Sequence, residues 1–495
     1  MRAIRDRFTF LFTSTKGLIL VGIASISLVT ALFGFLSGPM EEFGVRDFMI
    51  RTFGISLVPA EREGRIIMLY HAIAMAVVAI ETYMITSLVR MRREHQATIN
   101  STITFGFLLS MIFGLIFAYF GHNYVFHGLF ITGQAIVFFA GVMLAWVLWP
   151  WRAGYRIDDA DKARTRGGVD LERVAFFVMA VAMLGSAIFG AVPGSMFGNG
   201  FRTFLAEDVV RDPVKTPMQL AIIGHLHIML ALIAVALSLI IGRSFDFRGR
   251  LHKIAMPLMI AGTLIITLGV WMVVPFERIA HVIINVGSFP VLIASLLLVY
   301  FGWRQTANAR LAARGLARPS FGQRVVALLG DPLRFGTLWQ MVYMNVVVTA
   351  LGIFMAIRLD EVVRQWPHRE ERVALTGHWH VLSGIIATII LLYYADLAGL
   401  KGRARQVFGW VVIVASDLAF GAVALFETKR LYVSESAQQS LVDMAILLTD
   451  IGLATVLATL GIFLGWRLID LFKRNGRWRQ ELAARPTSSE QEVLK

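Results

Sequence analysis

The sequence predicts an all-α fold: a polytopic membrane protein of about twelve transmembrane helices, in a pseudo-threefold arrangement of four-helix blocks. Three observations predict it. Of the 495 residues, 57% are hydrophobic and 16% charged, with a mean hydropathy of +0.68, a balance that a water-soluble domain cannot keep without large exposed apolar surfaces. Apolar runs of the roughly 20 residues needed to cross a bilayer recur along the whole chain. Histidines recur too, His71, His225 and His378 being 154 and 153 residues apart.

The runs lie near 17–37, 66–89, 101–121, 126–150, 173–193, 218–242, 254–275, 279–302, 336–357, 372–396, 407–426 and 444–468. Span 1 follows Arg2, Arg5, Arg7 and Lys16 like a secretion signal, but no small-residue cleavage pattern follows it, so it reads as a true helix. Span 2 carries His71 and Glu81, and His127 opens span 4. Span 6 contains Gly224-His225-Leu226-His227, and His281 falls at the start of span 8. Span 10 contains Gly377-His378-Trp379-His380, while spans 11 and 12 carry Asp417 and Asp450.

The placement of charge orients these spans. The net charge of +14 comes from basic residues at the N-terminus and in alternate loops: Arg90, Arg92 and Arg93; Arg243, Arg248, Arg250 and Lys253; Arg304, Arg310, Arg314, Arg318 and Arg324; Lys401, Arg403 and Arg405. That alternation is a topology signal and not a nucleic-acid footprint. It predicts a multi-pass protein of a bacterial inner (cytoplasmic) membrane with both termini cytoplasmic and the even-numbered spans running inward. The absence of cysteine excludes disulfides, thiolate metal sites and iron–sulfur clusters held by this chain.

A single integral domain is expected over 1–479, followed by a disordered cytoplasmic tail over 480–495. Two outer loops, 38–65 and 194–217, are long enough to cap a site or dock a partner, and the basic inner loop 303–335 is expected to lie against anionic headgroups.

Of the eleven histidines, His71, His225, His227, His281, His378 and His380 fall within spans, each within roughly the first two turns of an inward-running helix. At about 1.5 Å per residue they share the outer third of the membrane. Intramembrane histidine is costly and tends to be functional. Residues two apart on a helix point roughly 200° apart, so His378 and His380 cannot serve one iron but can serve two. A lone histidine such as His127 or His281 equally suits an interhelical hydrogen bond; together with His227 they are the candidates for a third site.

Twelve helices, a span 2 histidine followed four residues later by methionine (His71 to Met75), and His-x-His in span 10 followed by Val381-Leu382-Ser383-Gly384 resemble the haem–copper oxidase subunit I superfamily, which includes the large subunits of nitric oxide reductases. The resemblance implies a low-spin haem on His71 and His380 and a high-spin haem on His378. It also implies that Lys429 and Arg430, followed by Leu431 and Tyr432, lie near haem propionates, where cations would neutralise carboxylates; an ordinary outer-loop charge pair explains them as readily. The chain departs from the family where the second-metal histidine pair belongs, reading Val270-Trp271-Met272-Val273-Val274-Pro275. Copper B is therefore expected to be absent. His225 or His227 would then reach the iron opposite His378, giving about two b-type haems per chain.

Glu81, Asp417 and Asp450 interrupt apolar sequence. They form either a proton path or a structural cluster, since isolated carboxylates there cost several kcal/mol. The expected function is that of a haem b-containing electron-transfer subunit linking a periplasmic cytochrome c or other redox subunit to the membrane, with quinone as a further candidate partner. The alternatives are a terminal oxygen or nitric oxide reductase with an atypical metal site, and a non-redox transporter.

Overall fold

The computed structural model describes residues 2–37, 43–57, 62–121, 123–152, 165–166, 168–195, 215–316, 318–358 and 361–483. Twelve helices are long and apolar enough to cross a membrane: span 1 Thr15–Leu36, span 2 Gly64–Leu88, span 3 Arg93–Phe120, span 4 Tyr124–Leu148, span 5 Leu171–Val192, span 6 Pro217–Ser244, span 7 Arg250–Trp271, span 8 Val273–Ala313, span 9 Pro332–Met355, span 10 Gly377–Leu397, span 11 Gly402–Leu431 and span 12 Glu435–Phe472. The protein is a multi-pass, all-α membrane protein. Residues 38–42 and 58–61 of the first outer loop, 196–214 of the second, and His122 lie outside the described residues, and with them Glu41, Glu42 and Glu61.

Local signals account for where the helices start and bend. Thr216 and Gln219 form a reciprocal capping box ahead of Pro217, and the Asn123 side chain accepts from the N–H groups of Val125 and Phe126. Near the start of span 8 the backbone breaks at Phe276 (φ −147°, ψ 59°), immediately after Pro275. Span 9 widens into a π-helical stretch over Tyr343–Val348.

The packing follows three blocks of four. Spans 1–4 pack among themselves, as do 5–8 and 9–12. Two junctions between blocks are equivalent: span 4 packs on span 5 and span 2 on span 6, just as span 8 packs on span 9 and span 6 on span 10. The third junction is built differently, with span 10 against span 1, while Tyr70 joins span 2 to span 10 by contacting His380. Glycine permits the closest approaches, as between spans 7 and 8, where a Cβ on Gly262 would lie 2.8 Å from the carbonyl oxygen of Gly287.

The helix Arg2–Thr13 and the end of span 12 meet on one face, which we call the terminal face. Arg7 donates to the carbonyls of Leu471 (2.8 Å) and Phe472 (3.1 Å) at the end of span 12, and Phe10 packs on Trp478. On this face Arg405 bridges Asp331 and Asp396, each at 2.6 Å, tying span 11 to the start of span 9 and the end of span 10. Arg173 donates to the carbonyls of Arg90 (2.8 Å) and Val147 (2.6 Å) while Glu172 pairs with Arg243 (3.1 Å), so the start of span 5 holds the ends of spans 2, 4 and 6.

A short helix follows span 12 and runs past residue 479. Residues Arg477–Ala483 form a helix, with Trp478 only 1% exposed and Glu481 paired to Arg467 at 2.8 Å. Asp470 accepts the N–H groups of Arg477 (2.9 Å) and Trp478 (3.3 Å), so this turn is capped from within span 12. Of the segment 480–495, read from composition as disordered, residues 480–483 thus belong to this helix. Residues 484–495 lie outside the described part.

Candidate functional site

Four histidines of spans 2, 6 and 10 meet in two pairs at the two equivalent junctions. The rings of His71 and His225 lie with centroids 6.4 Å apart and planes within 13° of parallel. Those of His227 and His378 are 6.0 Å apart at 35°. His-x-His achieves this because the two imidazoles of span 6 leave the helix on nearly opposite sides: His225 turns to span 2 and His227 to span 10. At the third junction the Nε2 of His380 meets the hydroxyl of Tyr70, the residue before His71. The ring partner that the structure gives His71 is thus His225, where the family resemblance implies His380. For His378 the span 6 partner is His227.

Backbone carbonyls fix the tautomers. A carbonyl only accepts, so the Nδ1 of His71 donates to Ile67 (2.8 Å), that of His225 to Ser186 (2.9 Å) and that of His227 to Ile223 (2.8 Å). Each neutral ring then carries its lone pair on Nε2, the arrangement that a metal-ligating histidine needs. His225 sits in a cradle on span 5, where a Cβ on Gly190 would overlap its ring, and Val270 packs beside Gly224. Phe130 closes the other side of His71 edge-on, its ring centroid at 6.3 Å.

The two pairs differ in one respect. The indole N–H of Trp379 donates to Nε2 of His227 at 3.0 Å, so the lone pair of that ring is engaged. Nothing comparable is recorded for Nε2 of His71 or His225 among the described residues.

The separations suit haem iron. A metal–imidazole bond of roughly 2 Å on each side of one iron sets two ring centroids about 6 Å apart. Among the described residues no three histidine or carboxylate side chains converge as a free metal ion would require. Ligands in twos fit a porphyrin, whose own nitrogens complete the coordination. The His71/His225 pair therefore fits a haem in both spacing and tautomer; the His227/His378 pair fits in spacing, with Trp379 competing for one ligand.

The other expected residues are dispersed. Lys429, 1% exposed, bonds Glu370 at 2.9 Å and lies 4.1 Å from the centroid of the Phe426 ring, and Arg430 bonds the same carboxylate at 2.7 Å. Arg430 first, with Lys429 beside it, holds the Glu370 carboxyl below the usual carboxylate range. Asp417 accepts from Trp339 and Gln340 of span 9, both at 2.7 Å, Asp450 is exposed on span 12, and Glu81 is buried in span 2, which packs on spans 1, 3, 4 and 6. These three acids occupy three separate surroundings. His127 is buried against Phe117, and His281 lies close enough to His227 to interact with it electrostatically.

Sequence reasoning missed Tyr70, Trp379, Gly190 and Glu427. Tyr70 and Trp379 adjoin motif histidines and carry the polar groups that a buried imidazole would recruit. Glu427 lies just beyond the apolar run read as span 11; it is 3% exposed, and a Cβ on Gly377 would collide with it. No protein-family model matches the chain, and no curated protein matches it.

Proposed function

We propose that this chain is a haem b-containing electron-transfer subunit of haem–copper oxidase-like fold, set in a bacterial cytoplasmic membrane with both termini inside and the histidines towards the periplasmic side. The observation that carries the proposal is the His71/His225 pair: two parallel imidazoles from different spans, spaced for one iron and both held by backbone carbonyls with Nε2 available. A haem bound there supplies reversible one-electron storage between a periplasmic redox partner and the quinone pool. The protein's part is orientation. Ile67 and Ser186 set the tautomers, Gly190 leaves room for His225, and Phe130 packs edge-on to His71.

A pyridine haemochrome assay on purified protein tests this, with His71→Ala and His225→Ala alongside. The expected result is b-type haem, about two per chain, with one site lost in either variant. A colourless protein, or unchanged visible spectra in both variants, sinks it.

A second reading has its own observation. Because Trp379 engages His227, a haem on His378 would keep one protein ligand and an open position, as a terminal reductase of oxygen or nitric oxide requires. Rapid carbon monoxide binding to the reduced protein supports that reading, and its absence leaves electron transfer alone.

A further inference from the structure

Span 12 is unlike every other span. Its most apolar stretch is 11% buried, against 28–56% for the other eleven. The block repeat explains what is missing: spans 4 and 8 each end a block and pack on the first span of the next, whereas the extensive packing of span 12 among the described spans is with span 11 alone. The N-terminal helix meets the end of span 12 at the terminal face.

The open face has a pattern. Asp450, Ala454, Ala458, Gly461 and Gly465 follow at intervals of four, four, three and four, which at about 100° per residue puts them on one side of the helix. Asp450, Ala454, Ala458 and Gly461 are exposed, and a Cβ on Gly461 or Gly465 would meet nothing within 4 Å. The large apolar side chains of Leu447, Ile451, Leu457 and Ile462 flank this stripe, all exposed. Gly452, pointing the other way, packs against Ala415 and Ala419 near the middle of span 11, which places Asp450 within the hydrocarbon depth. No hydrogen bond or ion pair engages the Asp450 carboxylate among the described residues. A carboxylate facing acyl chains is costly, whereas the opposite side of the same helix packs Gly452 on span 11 and Phe463 on Tyr394 and Phe408.

We propose that this face docks a transmembrane helix of a different subunit, which carries a basic or other donor side chain at the depth of Asp450 and approaches closely along the small-residue stripe. Charge selects the occupant: a second copy packed symmetrically on the same face would bring one Asp450 towards another. The run from Asp450 to Gly465 covers roughly 22 Å of helix axis, enough to seat a partner through most of the hydrocarbon core of about 30 Å. Ala and Gly permit a backbone approach that gives such pairs their packing.

The test uses the full chain, fluorescently labelled, in lipid vesicles with synthetic leucine–alanine transmembrane peptides bearing Lys or Leu at the central position, read by energy transfer. The expected result is association of the Lys peptide at least about tenfold tighter than that of the Leu peptide. Asp450→Asn should abolish the difference, Asp450→Glu should retain it, and Gly461→Leu should weaken binding of both peptides. Equal binding of the two peptides to the unaltered chain overturns the proposal without recourse to any variant. Energy transfer between two labelled copies, lost in Gly461→Leu, also overturns it and assigns the face to self-association.

Discussion

The indole N–H of Trp379 donates to Nε2 of His227 across 3.0 Å, and its ring stands edge-on to that imidazole with centroids 4.7 Å apart at 90°. A residue between the two histidines of one motif thereby occupies the ligand position of a histidine on another helix. Replacing it with phenylalanine keeps the ring and removes the donor. The released hydrogen bond is worth about 1 kcal/mol, or roughly fivefold in a ligation equilibrium. Trp379→Phe should lower the carbon monoxide-reactive fraction of the reduced protein by about that factor, measured as difference-spectrum amplitude.

Gly190 is required by the ring it faces. In Gly190→Ala the added methyl overlaps His225, and overpacking of this kind costs about 1–3 kcal/mol. The variant should unfold at a lower temperature and lose the absorption of the His71/His225 site while retaining that of the other pair. An unchanged spectrum would place the cofactor elsewhere.

Glu370 joins the start of the span 10 helix to Lys429 and Arg430. Its folded pKa is depressed, so the stabilisation from these bonds is fully present above the unfolded value of about 4.5 and declines as pH falls through the lower folded value. Glu370→Gln should cost about 1–3 kcal/mol near neutral pH, since Lys429 stays buried with less to bond. The difference between variant and unaltered protein should narrow below pH 4.5, as followed by thermal melting across pH 3.5–7.

The short C-terminal helix contributes to stability through a single large side chain. Trp478→Ala should destabilise the protein by about 3–5 kcal/mol, because the indole is enclosed by Phe10 and the neighbouring helix end. Denaturant titration in detergent measures it, and a change under about 1 kcal/mol would contradict the packing described here.

The architecture was legible because the bilayer imposes it: a run of twenty apolar residues is a local signal, and the even spacing of His71, His225 and His378 carries the block repeat in its arithmetic. Ring pairing was only partly legible. That His225 and His227 face different neighbours follows from helix geometry, but whether His71 meets His225 or His380 depends on how spans 2, 6 and 10 rotate about their axes, which side chains from all three decide together. The acids show the same limit. Glu81, Asp417 and Asp450 share a polarity pattern in sequence, yet one lies buried, one bonds span 9 and one faces outward, because helix rotation is a tertiary property.

Arg7 and Leu471, bonded through 2.8 Å, are separated by 464 residues. During synthesis at about 5–20 residues per second, the first helix therefore waits roughly half a minute or longer before its final partner leaves the ribosome. Until then the aromatic surface of Phe10 lacks Trp478. The clasp between the helix Arg2–Thr13 and the end of span 12 thus closes only after the twelfth span has been made.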